Sequence, residues 1–418
     1  MRILVVGGGG REHSLVWKLS ESAGAGKIFC APGNGGIADI AECAGIRADD
    51  IEGIVSFSKR EKIDLAVIGP DDPLMLGLAD ACEAAGIRAF GPRRAAARLE
   101  WSKEYAKALM KKYGVPTADY RVFGDAAEAV AALGEMKGPY FIKTDGLALG
   151  KGAVFAESRA EAEAAIRSFM IDKIFGEAGS RVLVEECLAG PEMTVLAFTD
   201  GKVIKPMLCS QDHKRIYDGD RGPNTGGMGA FAPSPVYTEA VERECREKIF
   251  APTLKMLQQE SIDYRGVLYF GLMLTPGGVK VIEYNSRFGD PEAQAVLPLL
   301  ETDLLEVFDA VINGRLVDID LQWAPGYCAC VVAASGGYPG EYKTGLEITI
   351  EDNPEALLFH AGTRRENGRL YTAGGRVIGA AALGDTLGAA AERAYGGIRR
   401  VSFDGMHYRK DIGGSYRE

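Results

Sequence analysis

Short apolar runs at positions 3–6, 27–30, 65–68 and 89–90 have the length and β-branched content of buried strands. Between them the pattern changes to helical spacing over 13–22, 51–61 and 75–85. Strand and helix in alternation predict a doubly wound parallel layer, closed by Gly91-Pro92. A helix follows, with Ser102 as its N-cap and Gly114 as its stop, then Pro116. Helices over 126–136 and 159–169 are interleaved with strands over 139–143, 153–156 and 181–185, which predicts a small α+β lobe. Strands over 194–208 turn at Asp200-Gly201. A long polar, glycine-rich loop is expected over 210–235, and loops of that length inside compact domains are usually functional. A helix over 239–259 comes next, then two strands, 266–274 and 279–286, joined at Pro276-Gly277-Gly278, and a helix over 302–312. Beyond Pro325 the chain reads as strands and glycine turns with one helix, 387–398. The expected division is 1–101, 102–324 with a lid lobe at about 117–190, and 325–418.

Composition narrows the function classes. Apolar content of 47% and charged content of 25% are those of an ordinary globular chain. A net charge of −10 argues against a broad nucleic-acid footprint or an anionic membrane surface as partner. No apolar run approaches the roughly 20 residues of a membrane span, and the first residues are a strand entering a glycine turn rather than a signal peptide. The 8 cysteines are scattered singly apart from Cys328-Ala329-Cys330, which alternation places on one strand face as core packing. With only 4 histidines and no paired Cys-x-x-Cys, a structural zinc site is not expected, and scattered thiols fit a reducing, cytoplasmic location.

The chemistry concentrates in a few segments. In Val281-Ile282-Glu283-Tyr284-Asn285-Ser286-Arg287, strand alternation puts Glu283, Asn285 and Arg287 on one face, about 6–7 Å apart at each step. A carboxylate and an amide oxygen suit a hard cation, and a guanidinium suits a phosphoryl or carboxylate group beside it. In isolation the same face could be a solvated strand with an ion pair. Gly289-Asp290-Pro291 then forms a turn. The loop Gly7-Gly8-Gly9-Gly10-Arg11-Glu12-His13 lies between a strand and a helix, where amides and a helix N-terminus can hold a phosphate or sugar phosphate, or simply make a turn. It does not fit a dinucleotide: Glu12 replaces the third glycine, and Cys30-Ala31-Pro32-Gly33-Asn34 brings no acid after the second strand. Gly69-Pro70-Asp71-Asp72-Pro73 ends another parallel strand, and its acids could accept ribose hydroxyls. From Lys143 through Gly146 and Gly150-Lys151-Gly152 the chain resembles a P-loop but lacks its spacing and hydroxyl. A lysine at a strand end before a glycine flap suits a triphosphate clamp instead. Glu185-Glu186-Cys187-Leu188 and Glu192 could offer backbone to an adenine edge and a carboxylate to ribose.

Taken in order, these segments resemble the ATP-grasp superfamily. Within it, Gln211-Asp212-His213-Lys214-Arg215, Gly222-Pro223-Asn224-Thr225-Gly226-Gly227-Met228-Gly229-Ala230 and Asn285-Ser286-Arg287-Phe288-Gly289-Asp290-Pro291-Glu292 are similar to the phosphoribosylamine–glycine ligases. Gly9-Gly10-Arg11-Glu12-His13 and Arg409-Lys410-Asp411-Ile412-Gly413 also match, so the resemblance spans essentially the whole chain. It implies an α/β and α+β architecture: an ATP-grasp fold with an N-terminal doubly wound, Rossmann-like pre-ATP-grasp domain and a C-terminal mixed β domain. It implies ligation of glycine to 5-phosphoribosylamine through a glycyl phosphate, with ATP as co-substrate and Mg²⁺ or Mn²⁺ as the metal, in purine biosynthesis. The implied partners are these small molecules, with no nucleic acid or membrane, and the implied assembly is a monomer or weak homodimer.

The implied site follows residue by residue. Lys103 and Lys143 hold ATP phosphates with Gly146, Gly150, Lys151 and Gly152. Glu185, Glu186, Leu188 and Glu192 receive the nucleoside, and Glu283 and Asn285 hold the metal. Gly8, Gly9, Glu12, Pro70, Asp71, Asp212, Lys214, Thr225, Gly226, Gly227, Met228, Arg287 and Gly289 form the substrate side. Arg287, Asp212 and Lys143 carry the catalysis. His13 and His213 are read as hydrogen-bonded positioning residues. The chain departs from the pattern at Gly8, Thr144, Leu149 and Cys187. Another ATP-grasp carboxylate–amine ligase with a different acceptor is the competing enzyme, and a nucleotide-binding module without turnover is the competing class.

Overall fold

The computed structural model describes residues 1–146, 152–351 and 355–416. The first layer is a five-stranded parallel sheet in the order Glu42–Cys43, Lys27–Pro32, Arg2–Gly7, Leu65–Ile68, Arg88–Phe90. Ile3, Leu4, Val5 and Val6 are all fully buried, as a strand covered by helices on both faces must be. The strand order reverses between Arg2–Gly7 and Leu65–Ile68, so the loops after these two strands face one crevice. The helix expected over 75–85 is two helices, Asp71–Leu76 and Leu78–Ala84. Gly77 divides them at φ +89°, a left-handed conformation that ends one helix and that glycine adopts without a Cβ clash. The helix Lys103–Tyr113 starts and stops as its caps predict: Ser102 accepts from the Tyr105 amide, and Gly114 is left-handed.

Two antiparallel sheets enclose the next part of the chain. The smaller runs Tyr120–Phe123, Val182–Glu186, Tyr140–Thr144, Ala153–Ala156. The larger runs Ile204–Pro206, Glu192–Thr199, Gly266–Thr275, Gly278–Asn285. The helical stretch expected over 239–259 is continuous through Glu239–Cys245 and Ala251–Gln259, with one wide turn, Arg246–Phe250, between them. It packs on the apolar back of the larger sheet through Ile249, Phe250, Met256 and Leu257. The strand Gly278–Asn285 ends two residues before Arg287, so alternation orients Glu283 and Asn285 but not the arginine. Its pairing shifts where Gly271 faces Glu283 and Leu272 faces Val281. Ile282 is therefore an extra residue, a bulge of the kind that re-aims side chains.

The stretch expected to be a loop over 210–235 is largely ordered as strands. Arg215–Tyr217 and Arg221–Asn224 make a hairpin, and Gln211–Asp212 pairs with Gly229–Ala232. Gly229–Ala232 then pairs with Tyr327–Ala334, in the sheet Gln211–Asp212, Gly229–Ala232, Tyr327–Ala334, Arg376–Gly384, Leu357–His360. The polar, glycine-rich sequence concealed the last of these pairings because the partner of Gly229–Ala232 lies about a hundred residues away. Cys328 and Cys330 are both fully buried on Tyr327–Ala334, as alternation predicts. All 8 cysteines are free thiols. No helix among the described residues is long and apolar enough to cross a membrane.

Candidate active site

A cavity of about 1100 Å³ lies among the two antiparallel sheets, the ends of the parallel strands and the C-terminal sheet. At its centre is the half-buried carboxylate of Glu283. Burial opposes its ionisation, but Lys214, Lys143 and Lys103 outweigh that and hold it below the ordinary glutamate range. Asn285, next on the same strand face, hydrogen-bonds the Glu283 side chain, and both line the cavity. No group of three or more His, Cys, Asp or Glu among the described residues could hold a metal by itself. Two neutral-to-anionic oxygen donors fit a hard divalent cation that takes its remaining ligands from phosphate and water.

Each lysine is anchored differently. The Lys103 Nζ donates to Gly146 O at 3.0 Å, at the root of the glycine flap. Asp145 fixes that root from the other side, its Oδ1 accepting from the Glu104 amide at 3.1 Å, at the first turn of Lys103–Tyr113. Burial pushes the Lys103 ammonium down, and Lys143 adds to this against Glu283 and Asp145. The Lys143 Nζ lies 3.0 Å from Glu185 Oε2, and the same oxygen receives Lys107 Nζ at 3.0 Å. Lys107 also donates to Thr117 Oγ1 at 2.8 Å, and burial lowers its pKa to about 8. The Glu185 Oε1 is buried without a partner among the described residues. Thus Glu185 is a counter-ion for two lysines rather than a carboxylate free for ribose. Glu186 bonds Lys280 at 2.6 Å and the Asp119 amide at 3.1 Å, while Leu188 and Glu192 line the cavity. Gly146 and Gly152 also line it, whereas Gly150 and Lys151, with Leu149, lie outside the described residues.

On the substrate side, Lys214 Nζ meets Glu192 Oε2 at 2.6 Å. Burial pushes Asp212 up to about 7, with Glu292 and Glu192 adding to the effect and Lys214 opposing it. Glu292 is buried, its Oε1 accepting from Tyr269 at 2.9 Å and Thr194 at 3.4 Å. Arg287 reaches Glu100 Oε1 at 3.0 Å, and the other Glu100 oxygen accepts the Ser286 amide at 2.7 Å. Burial raises the Glu100 carboxyl to about 7 in spite of Arg287. The Arg287 Nε is buried without a protein partner among the described residues. Burial opposes ionisation of Asp71, yet Arg287 and Arg11 keep it below the usual aspartate range, and it lines the cavity. Thr225 and Gly226 also line it, and Thr225 Oγ1 ties the loop by donating to Lys214 O at 2.8 Å and accepting from Gly227 N at 2.9 Å.

Several expected contacts lie elsewhere. Gly8, Gly9, Glu12 and Pro70 are not on the cavity wall. The Gly9 amide donates to Glu12 Oε2 at 2.6 Å, and Glu12 Oε1 accepts Arg11 Nε at 2.6 Å. Asp290 accepts the Arg11 amide, so two carboxylates already satisfy the helix N-terminus where a phosphate was expected. Met228 has 0% exposure and packs with Ile216 and Ala334, so its side chain is core rather than substrate contact. Gly227 and Gly289 lie behind the wall. Gly227, at φ +111°, would drive any Cβ into Pro291, and one on Gly289 would meet Glu292. His13 accepts the His360 amide at Nδ1, 2.8 Å, and burial lowers its pKa to about 3. His213 is likewise lowered by burial, to about 4, with Arg409 adding to this, so both rings are neutral, but the His213 Nδ1 is buried without a partner among the described residues. The sequence reading missed Lys107, Glu100, Arg11, Glu292, Tyr338 and Arg376, all on the wall. Arg11 and Glu292 stand inside quoted motifs without having been singled out, and Lys107 left a local signal, four residues after Lys103 on one helix face.

Comparison with known proteins agrees along the whole length. Models of phosphoribosylglycinamide synthetase match as its N domain over residues 1–100, its ATP-grasp (A) domain over 101–293 and its C domain over 328–415. The chain is 47% identical over 417 residues to a phosphoribosylamine--glycine ligase of Caldanaerobacter subterraneus subsp. tengcongensis, covering 100% of each. It is 45% identical over 415 residues to that of Clostridium acetobutylicum, covering 99% of this chain and 100% of the relative. The crystal structure of the phosphoribosylamine--glycine ligase of Thermotoga maritima superposes with a TM-score of 0.86 at 32% identity, covering 99% and 100% of the two chains. The biotin carboxylase domain of the Hydrogenobacter thermophilus 2-oxoglutarate carboxylase shares the fold, with a TM-score of 0.74 at 17% identity over 97% of this chain and 91% of that one. The fold is that of an ATP-grasp enzyme. The chain belongs to the phosphoribosylglycinamide synthetase family.

Proposed function

We propose that this chain is an ATP-dependent carbon–nitrogen ligase that joins glycine to 5-phosphoribosylamine, giving glycinamide ribonucleotide, ADP and phosphate in purine biosynthesis, in the cytoplasm. The observation that carries the reading is the ring of Lys103, Lys143 and Lys214 about Glu283, with Arg287 beside it in one cavity. Phosphoryl transfer requires positioning and charge neutralisation rather than a nucleophilic side chain, and this ring supplies both.

A carboxylate is a poor electrophile. In the first step a glycine carboxylate oxygen attacks the γ-phosphorus, the bond to the β-phosphate oxygen breaks, and glycyl phosphate and ADP form. Lys103 and Lys143 hold phosphate oxygens, and Lys143 exchanges Glu185 for phosphate while Lys107 keeps Glu185 neutralised. Arg287, fixed by Glu100, steadies the glycine carboxylate and the developing acyl phosphate. Glu283 and Asn285 would hold Mg²⁺ or Mn²⁺, which when bound draws charge from the transferring phosphoryl group. In the second step the amine of phosphoribosylamine attacks the acyl carbon, the carbon–oxygen bond to phosphate breaks, and the amine proton passes to Asp212.

The assay is ADP release with each substrate omitted in turn. Turnover is expected to need ATP, glycine and the amine together; turnover with another amino acid but not glycine would reject the reading. Asp212 gives a second check. A base must be ionised, and this carboxyl titrates at about 7, so kcat/KM is expected to rise with pH through that range. Asp212→Asn should lower the rate and flatten that limb; an unchanged limb removes Asp212 from proton transfer.

A further inference from the structure

The C-terminal part of the chain supplies two cavity-lining side chains that bond the backbone of the glycine-rich turn. Arg376, at the start of Arg376–Gly384, donates from one guanidinium nitrogen to Gly226 O at 2.7 Å, Gly227 O at 3.4 Å and Asp290 O at 2.7 Å. Its other terminal nitrogen lies 3.2 Å from Asp290 Oδ2. Tyr338 accepts the Gly226 amide at its hydroxyl, 2.9 Å. The Tyr338 ring packs on Gly375 and beside Met228, which fixes where that hydroxyl points. Gly226 is closed in from the same side, since a Cβ there would stand 2.9 Å from Arg376 Cζ.

The charged groups of the cavity follow one another in order. Glu283 is surrounded by Lys214, Lys143 and Lys103. Arg287 faces Glu100, Asp71 and Glu292. Arg376 faces Asp290, Tyr338 and Glu292, with Arg287 as its cationic neighbour. The guanidiniums of Arg376 and Arg287 and the ammonium groups of Lys103, Lys143 and Lys214 line one cavity. An acyl group held at Arg287 would share that cavity with the Gly226 turn. We propose that Arg376 and Tyr338 are positioning residues for the phosphorylated amine substrate, holding the Gly226 peptide as the wall against which that substrate binds and Gly227 behind it. The inference rests on the ligase reading above and adds the C-terminal sheet to the acceptor half of the site.

The test is a comparison of KM values for all three substrates in purified full-length Arg376→Met, Arg376→Lys and Tyr338→Phe, with the amine generated in situ from ribose 5-phosphate and ammonia. Arg376→Met is expected to raise the KM for phosphoribosylamine by about tenfold or more while the KM for ATP stays within about twofold. Arg376→Lys should recover part of the loss, and Tyr338→Phe should raise the amine KM by about threefold. A purely structural role would move all three constants together, and that result overturns the proposal. So does an amine KM within about twofold of wild type in both Arg376→Met and Tyr338→Phe. If Arg376→Met does not fold, Tyr338→Phe decides alone, and an unchanged amine KM there is fatal. Wild-type protein that fails to turn over the amine with glycine and ATP removes the ligase reading and this inference with it, whereas active wild type with unmoved variants removes only the inference.

Discussion

Glu283→Ala is expected to lower turnover by about a thousandfold or more at ordinary Mg²⁺ concentrations. The carboxylate sits where Lys103, Lys143 and Lys214 converge, and with Asn285 it is the protein's oxygen pair for a cation. Without it the remaining amide oxygen is a weak ligand, and three ammonium groups face one another across the cavity. Their repulsion in a wet cavity costs about 1–2 kcal/mol, a modest part of the stability of a chain this size. The variant should therefore remain folded, which circular dichroism and thermal melting check, while calorimetry loses Mg²⁺-dependent ATP binding. Most of the activity surviving in a folded variant would show that the metal is held elsewhere. Glu283→Gln separates charge from shape: a similar loss there assigns the effect to the carboxylate's charge.

Arg287→Lys is expected to lower kcat by about a hundredfold, although it keeps the positive charge. The guanidinium divides its donors: one terminal nitrogen meets Glu100, another reaches Phe288 O at 3.1 Å, and Nε is buried without a protein partner. An ammonium cannot hold a buried carboxylate and present a planar fork to a ligand together. Glu100→Gln is the companion variant, because it keeps an oxygen for the Ser286 amide but removes the charge that pins Arg287. If Arg287 acts on the glycine carboxylate, Arg287→Lys raises the glycine KM as well as lowering kcat. Wild-type kcat in Arg287→Lys would leave the arginine with a structural role only.

The parallel layer was legible because its cause is local: apolar runs such as 3–6 are buried on both sides, and their turns carry glycine. The caps at Ser102 and Gly114 were legible for the same reason. That Glu283 and Asn285 share one strand face was identifiable from their spacing of two. Its bulge at Ile282 was not, because a bulge is set by the partner strand rather than by the bulged sequence. Strand pairing hid the architecture of the 210–235 stretch, whose partner Tyr327–Ala334 is far along the chain. The first glycine loop has partners that its residue types did not announce. Its residue types suit a phosphate, but the donors go to Glu12 and Asp290, and the latter arrives from nearly 280 residues away. Glu100 and Arg376 carried no pattern, since a single charged residue becomes informative only when folding buries it next to another.

The pairing of Gly229–Ala232 with Tyr327–Ala334 has a consequence for anyone recombining relatives of this protein. A chimaera spliced between the central and C-terminal segments would cut through a continuous sheet, not a hinge. It would inherit its edge partner from one parent and its substrate loop from the other. Grafts that carry residues 210–235 along with the C-terminal segment should keep their catalytic geometry, and grafts that separate the two should not.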